Sequence, residues 1–265
     1  MQAQGFALVT GASSGIGMDI AREYAARGKP LVLTARRLER LEALAGELRN
    51  HVPVHVIAAD LADPAAPDAL HARLAELGVH VDTLVNNAGY GVPGRLLSAP
   101  WQAHADFLQV MVVAVTRLTY LFLPAMEAAG HGRILNVASL AGLVPASAGH
   151  TLYGASKAWL IRFSEALALE SRPRGVHVTA LCPGFTYTEF HDVTGMRANV
   201  SKLPKWLWLD SASVARMGVD AVEAGRARVV TGKMNRLIAT LCKVLPEAAA
   251  RALVASKSSE FRKAD

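Results

Sequence analysis

The sequence predicts a doubly wound α/β fold: a parallel sheet of about seven strands with helices on both faces. Three observations lead there. Short β-branched or apolar runs alternate with longer amphipathic patterns along the chain, as repeated strand–helix–strand units require. The runs are apolar at nearly every position, which suits strands buried on both faces. Chemically suggestive residues fall just past the carboxyl ends of those runs, where such a sheet binds its ligands.

FALVT (6–10) is the first strand, and a helix follows from about Ile16 to Arg27. LVLTA (31–35) precedes a charged helix over 37–50, with Leu38, Leu41, Leu44, Ala45 and Leu48 on one side. VHVIA (54–58) and TLVNN (83–87) are the next strands, separated by a helix that starts near Pro64. A long apolar helix ends near Ala129, followed by the strand RILNVA (133–138) and a helix over about 152–170. VHVTAL (176–181) and a short strand at 229–230 complete the sheet. Right-handed crossovers turn this order into a doubly wound arrangement. Gly11, Arg36, Asp60, Asn87, Ser139 and the Pro183-Gly184 pair then stand beyond the first six strands, in that order.

A chain of 265 residues suits one domain over 1–265. Within it, 186–210 is expected to form a substrate lid and 233–258 a C-terminal helical segment. With 52% hydrophobic and 19% charged residues, neither a disordered nor a membrane-embedded chain fits. The net charge of +6 suits an anionic ligand, but no Lys/Arg block of five occurs, so no nucleic-acid partner is expected. Cys182 and Cys242 form no CxxC or Cys/His cluster, so neither a disulfide nor a metal site is expected. The N-terminus enters a strand at once, which argues against a signal peptide. The greasiest stretch, 110–129, contains Arg117, Pro124 and Glu127 and reads as a buried helix. A cytoplasmic location follows as the expectation.

TGASSGIG (10–17) joins the first strand to the first helix. Gly11 permits the tight turn, Gly15 lets backbone approach a pyrophosphate, and Gly17 allows close helix–sheet packing. Ser13, Ser14 and Ile16 complete a loop whose helix N-terminus offers free N–H groups and partial positive charge. In strand–turn–helix context this is the dinucleotide loop of a Rossmann fold. An NAD site would carry an acid after the second strand, whereas this chain has Arg36 and Arg37. A guanidinium suits the 2′-phosphate of NADP(H), although the two arginines could also merely open a solvated helix. Asp60 and Leu61 are expected at the adenine, and Asn87, Ala88 and Gly89 at its ribose.

Tyr153 and Lys157 lie four residues apart in YGASK and share one helix face. A tyrosine pKa of about 10 leaves about one phenolate in a thousand at neutral pH. A close ammonium and an oxidised nicotinamide favour the anion; lowering the pKa by three units takes about 4 kcal/mol. Ser139, after the fifth strand, can hold a substrate oxygen near the phenol. Each motif alone is a common accident, but together at successive strand ends they point to proton transfer beside a nucleotide.

These motifs resemble the short-chain dehydrogenase/reductase family in its compact form. The resemblance runs from Phe6 to about Thr188 through TGASSGIG, Asp60-Leu61, NNAG (86–89), Ser139, YGASK and PGFTYT (183–188). It implies hydride transfer between NADP(H) and a ketone or aldehyde and its alcohol. It also implies Tyr153 as general acid/base, Lys157 on the nicotinamide ribose, Ser139 on the substrate oxygen and Thr188 on the carboxamide. One position departs. The family's long helix usually carries an asparagine that props open a backbone kink and a water near the lysine; here Met111 stands in VMVVAV. Methionine offers no amide hydrogen bonds, so a non-catalytic or weakly active NADP-binding protein is the alternative reading.

Tyr90 and Val92, the 140–145 stretch with Leu140 and Pro145, and Phe185 are expected around the substrate pocket. Phe190, Met196 and Trp206 of the lid join them, and the pocket suits a small, fairly hydrophobic carbonyl compound or alcohol. KMNRLIATLCKVL (233–245) puts Met234, Leu237, Ile238, Leu241 and Leu245 on one face, opposite basic residues. That face is expected to pack on its own domain or on a second copy in a homodimer or homotetramer, with a membrane surface as the lesser reading.

Overall fold

A computed structural model describes residues 5–146, 148, 149, 151–189 and 207–258, the last six by backbone alone. The strands β1 (Phe6–Thr10), β2 (Leu31–Ala35), β3 (Val54–Ala58), β4 (Val81–Asn86), β5 (Gly132–Val137) and β6 (Val176–Cys182) form wherever the sequence has its uninterrupted apolar runs. A short pair, β7 (Thr186–Tyr187) and β8 (Leu209–Asp210), stands apart, and β9 (Arg228–Val230) returns to the edge. The main sheet has seven strands in the order β3-β2-β1-β4-β5-β6-β9, all paired in parallel. Strand order therefore reverses between β1 and β4, which opens a crevice at their carboxyl ends.

Helices α1 (Gly15–Ala26) and α2 (Leu38–Leu48) cover one face of the sheet. A further helix there, α7 (Ser211–Glu223), is absent from the sequence-based expectation. Its signal was present: Asp210 accepts a hydrogen bond from the Ser213 N–H at 2.7 Å, and Val214, Val219 and Val222 pack onto Ile20 and Tyr24. The opposite face is covered by α3 (Ala66–Glu76), by the long helical run 101–128, and by α6 (Thr151–Ser171).

The long run is α4 (Trp101–Leu108) and α5 (Ala114–Ala128), joined by a π-helical turn over Gln109–Val113. By length and composition it could cross a membrane. Here Phe107, Met111, Leu118, Phe122 and Met126 are buried, as the interrupting polar residues led one to expect. A polar thread crosses the core beneath it. Asn86 on β4 donates to Asn136 on β5 at 2.8 Å, and Asn136 donates to Ser164 on α6 at 2.9 Å. The thread fixes α6 over the central strands, because each buried amide would otherwise lose hydrogen bonds.

Asp82 closes the amino-terminal edge of the sheet. Its carboxylate accepts from the Gly5 N–H at 3.1 Å and from Lys29 Nζ at 2.7 Å. Both charged side chains are mostly enclosed, so Asp82→Asn leaves the Lys29 charge without its counter-ion. It is expected to cost about 3 kcal/mol in urea denaturation; a loss below about 0.5 kcal/mol would place the pair with ordinary surface ion pairs.

Candidate active site

The crevice between β1 and β4 is built by mutual fit. Gly11 and Gly15 have φ of +65° and +57°, which the turn needs and other residues rarely adopt. A Cβ on Gly11 would come within 2.8 Å of the Ala88 Cα, and one on Gly17 within 2.2 Å of the Asn87 amide. Asn87 donates to the carbonyls of Thr10 at 2.9 Å and Gly11 at 3.2 Å. The Thr10 hydroxyl accepts the Asn87 and Ala88 N–H groups at 2.9 and 3.0 Å. Gly17 thus lies behind the loop and not on the cleft wall, which fits its packing role.

A cleft of about 1140 Å³ follows the carboxyl edge of the sheet. Gly11, Ser13, Ser14, Gly15 and Ile16 line one end, together with Arg36, Arg37, Asp60 and Leu61. Asn87, Ala88 and Gly89 line its middle wall, and Ser139, Tyr153, Lys157, Pro183, Gly184 and Thr188 also face it. The two arginines differ. Arg37 donates to Ser13 and Ser14, each at 3.0 Å, and pairs with Glu189 at 3.3 Å. Arg36 is exposed and has no ion pair among the described residues, so its guanidinium is open to an anion.

Ser139 accepts a hydrogen bond from the Ala141 N–H at 3.1 Å and caps the short 3-10 turn Leu140–Gly142. Its O–H remains able to donate to a ligand oxygen. Gly142 lets that turn sit directly on α6, since a Cβ there would lie 2.6 Å from the Lys157 carbonyl carbon. Lys157 is buried, and its Nζ donates to the Val137 carbonyl at 2.7 Å. The same Nζ lies 5.7 Å from the centre of the Tyr153 ring. Burial pushes the Lys157 pKa down to about 8.

Met111 sits in the π-helical turn, 2% exposed, and does not line the cleft. Its sulfur packs under Gly89, 2.8 Å from where a Cβ on that glycine would be. The helix is therefore irregular at this point without an asparagine, while the neighbouring Val110 reaches the cleft.

Among expected pocket residues, Tyr90, Leu140, Pro145 and Phe185 line the cleft. Val92 does not line it; two residues on, the Gly94 N–H pairs with the Gly149 carbonyl at 3.0 Å. Phe190, Met196 and Trp206 lie outside the described residues. The C-terminal helix α8 (Lys233–Val244) divides its apolar stripe between the domain and solvent. Met234, Leu237 and Leu241 of its apolar face are exposed, whereas Ile238 turns inward and lines the cleft together with Cys242. Sequence periodicity separated apolar from basic positions but carried no sign of which edge of the stripe would meet the domain.

Comparison with known proteins agrees with this architecture. The family model for short chain dehydrogenases matches residues 5–197. A sulfoacetaldehyde reductase of Chromohalobacter salexigens is 44% identical over 186 residues, covering 69% of this chain and 72% of that protein. A short-chain dehydrogenase from Sphingobium yanoikuyae, solved in complex with NADPH, superposes with a TM-score of 0.80 at 31% identity, covering 98% of this chain and 97% of its own. A bulky-bulky ketone specific alcohol dehydrogenase from Comamonas testosteroni superposes at 0.74 with 29% identity, over 98% and 96% of the two chains. This chain belongs to the short-chain dehydrogenase/reductase family.

Burying Lys157 carries a pH signature. Its folded pKa of about 8 lies below the usual lysine value of about 10.4, so the unfolded chain holds the proton more tightly. Stability of the ligand-free protein should rise by up to about 3 kcal/mol between pH 8 and 10.4 from this group alone. Urea denaturation of wild type and Lys157→Met across that window should show the increment only in wild type. Parallel pH slopes would contradict the assignment.

Proposed function

We propose that this chain is an NADP(H)-dependent oxidoreductase that interconverts a small, uncharged ketone or aldehyde and the corresponding alcohol. The observation that carries the reading is that Ser139, Tyr153 and Lys157 share one cleft with the Gly11–Gly15 turn. The residues fit a dinucleotide. The two positive-φ glycines leave a cradle in which a Cβ on Gly15 would already touch Thr188 at 3.1 Å. The α1 N-terminus begins at Gly15 and offers N–H groups to a pyrophosphate. Arg36 suits a 2′-phosphate, and no acid follows β2 to hold the ribose hydroxyl of NAD. The NADPH complex of the Sphingobium yanoikuyae relative supports the same choice.

When bound, the reduced nicotinamide supplies the hydride. The chain's own residues supply the proton and the alignment. Ser139 donates a hydrogen bond to the substrate carbonyl and holds it beside the Tyr153 hydroxyl. Tyr153 gives its proton to the carbonyl oxygen as the carbon gains hydride, which leaves a phenolate. The Lys157 ammonium stabilises that phenolate and, through its Val137 bond, keeps a fixed position. In oxidation the phenolate takes the alcohol proton back.

Met111 motivates a second reading, an NADP-binding protein without turnover. NADPH absorbance followed with varied ketones and aldehydes separates the two: tight NADPH binding with no carbonyl reduced would sink the enzymatic reading. We also read the chain as a single cytoplasmic domain that associates with itself. The exposed Trp101, Val113, Tyr120 and Leu169 on the long helical run and α6 offer apolar surface for a second copy.

Tyr153→Phe should lower kcat at least a hundredfold while NADPH still binds; a loss under fivefold would remove Tyr153 from proton transfer. Arg36→Ala should weaken NADPH about tenfold and leave NADH within twofold, as expected for one charge-assisted phosphate contact. Equal losses for the two nucleotides would contradict the 2′-phosphate assignment.

A further inference from the structure

The cleft has a wall that the family match does not cover. The family model ends at residue 197, and α8 begins at Lys233. Ile238 and Cys242 are four residues apart, so they share a helix face, and both line the cleft that holds Ser139 and Tyr153.

A chain of close contacts places α8 at the Ser139 end. Leu140, next to Ser139, donates its N–H to the Pro183 carbonyl at 2.8 Å. Gly184 then meets α8 directly: a Cβ there would lie 2.3 Å from the Asn235 amide. Asn235 is 3% exposed and donates to the Thr231 carbonyl at 2.8 Å, which closes the first turn of the helix. One helical turn beyond that anchor stands Ile238, and a second turn brings Cys242.

The chemistry of this wall is uncharged. Lys233, Arg236 and Lys243 are exposed, and neither Asp nor Glu occurs in α8. Among the described residues, the cations on the cleft are Arg36 and Arg37, beside the phosphate loop, and Lys157, bonded to Val137. Among the described residues, the α8 side of the cleft therefore offers no cation to an anionic substituent such as a sulfonate. It offers a branched aliphatic side chain and a thiol, which suit a hydrocarbon group.

We propose that Ile238 and Cys242 form the wall that receives the apolar substituent of the carbonyl substrate and sets its size limit. This rests on the carbonyl-reductase reading and names the substrate class: methyl ketones and related compounds with an uncharged alkyl or aryl arm. A single methylene in a hydrophobic pocket changes discrimination about 10- to 200-fold, so changes at Ile238 should alter selectivity more than cofactor binding.

The test compares kcat/KM for methyl ketones from 2-butanone to 2-octanone and acetophenone in wild type, Ile238→Trp and Ile238→Ala, with the NADPH Kd of each protein. Ile238→Trp is expected to lower kcat/KM for 2-octanone at least tenfold relative to 2-butanone. Ile238→Ala should shift the preference toward the bulkier ketones, and NADPH Kd should stay within twofold in both. Retained NADPH binding shows that the variants are folded. An unchanged preference across the series in both variants overturns the wall and leaves the reductase reading standing. Thiol alkylation by iodoacetamide gives a readout without turnover, because Cys182 is fully buried and Cys242 is not. In NADP⁺-saturated protein, 2-octanol should slow alkylation of Cys242 at least threefold. If wild type reduces no carbonyl yet 2-octanol protects Cys242, the wall stands and the enzymatic reading falls; no protection overturns the wall.

Discussion

The buried Lys157 ammonium is the constraint around which the cleft is arranged. A charge taken out of water is tolerated only where hydrogen bonds replace hydration. The Val137 carbonyl, 2.7 Å away, supplies one of them. Val137 is the last residue of β5, so the bond sets the height of α6 against the sheet. Tyr153, one turn earlier on α6, is thereby held level with the strand ends where Ser139 stands. Gly142 is required by the same arrangement, because a side chain there would push the 140–142 turn off the Lys157 backbone.

Such a site needs rigid support, and the core provides it with polar contacts where apolar packing alone would allow sliding. The Asn86–Asn136–Ser164 thread pins β4, β5 and α6 together below the cleft. Asn87 and Thr10 do the same for β1 and β4 at the reversal of strand order. Leucines could fill either position, but directional bonds choose one register. The two halves of the cleft, phosphate loop and YGASK helix, are in this way referred to the same two central strands.

The fold was legible because fully buried strands leave a plain sequence trace. FALVT, LVLTA and VHVIA begin and end where the strands do, and the motifs after them mark the cleft. Three features were not legible, for different reasons. The π-helical turn depends on how the long helix meets Gly89, a tertiary contact that local periodicity does not encode. Helix α7 had its cap and its valine spacing in plain view, yet followed too closely on the aromatic 206–208 stretch to be separated from the lid. Val92 shows the limit of extrapolating along a loop: Tyr90 and Gly91 line the cleft, and Val92, one residue on, does not.

Met111 shows why a missing motif residue and a missing structure are separate questions. If an asparagine amide alone held the helix open, a methionine there should restore a regular α-helix. The turn over Gln109–Val113 is π-helical all the same, and the Ala114 N–H reaches back five residues to the Gln109 carbonyl. The Met111 side chain instead fills the space beneath Gly89, as a flexible thioether can. The turn is thus π-helical with methionine in place, and the Met111 sulfur packs against the loop that follows β4. What methionine does remove is an amide that could orient water. The consequence falls on the route by which protons would reach Lys157 and Tyr153, and the walls that would receive nucleotide and substrate are left intact.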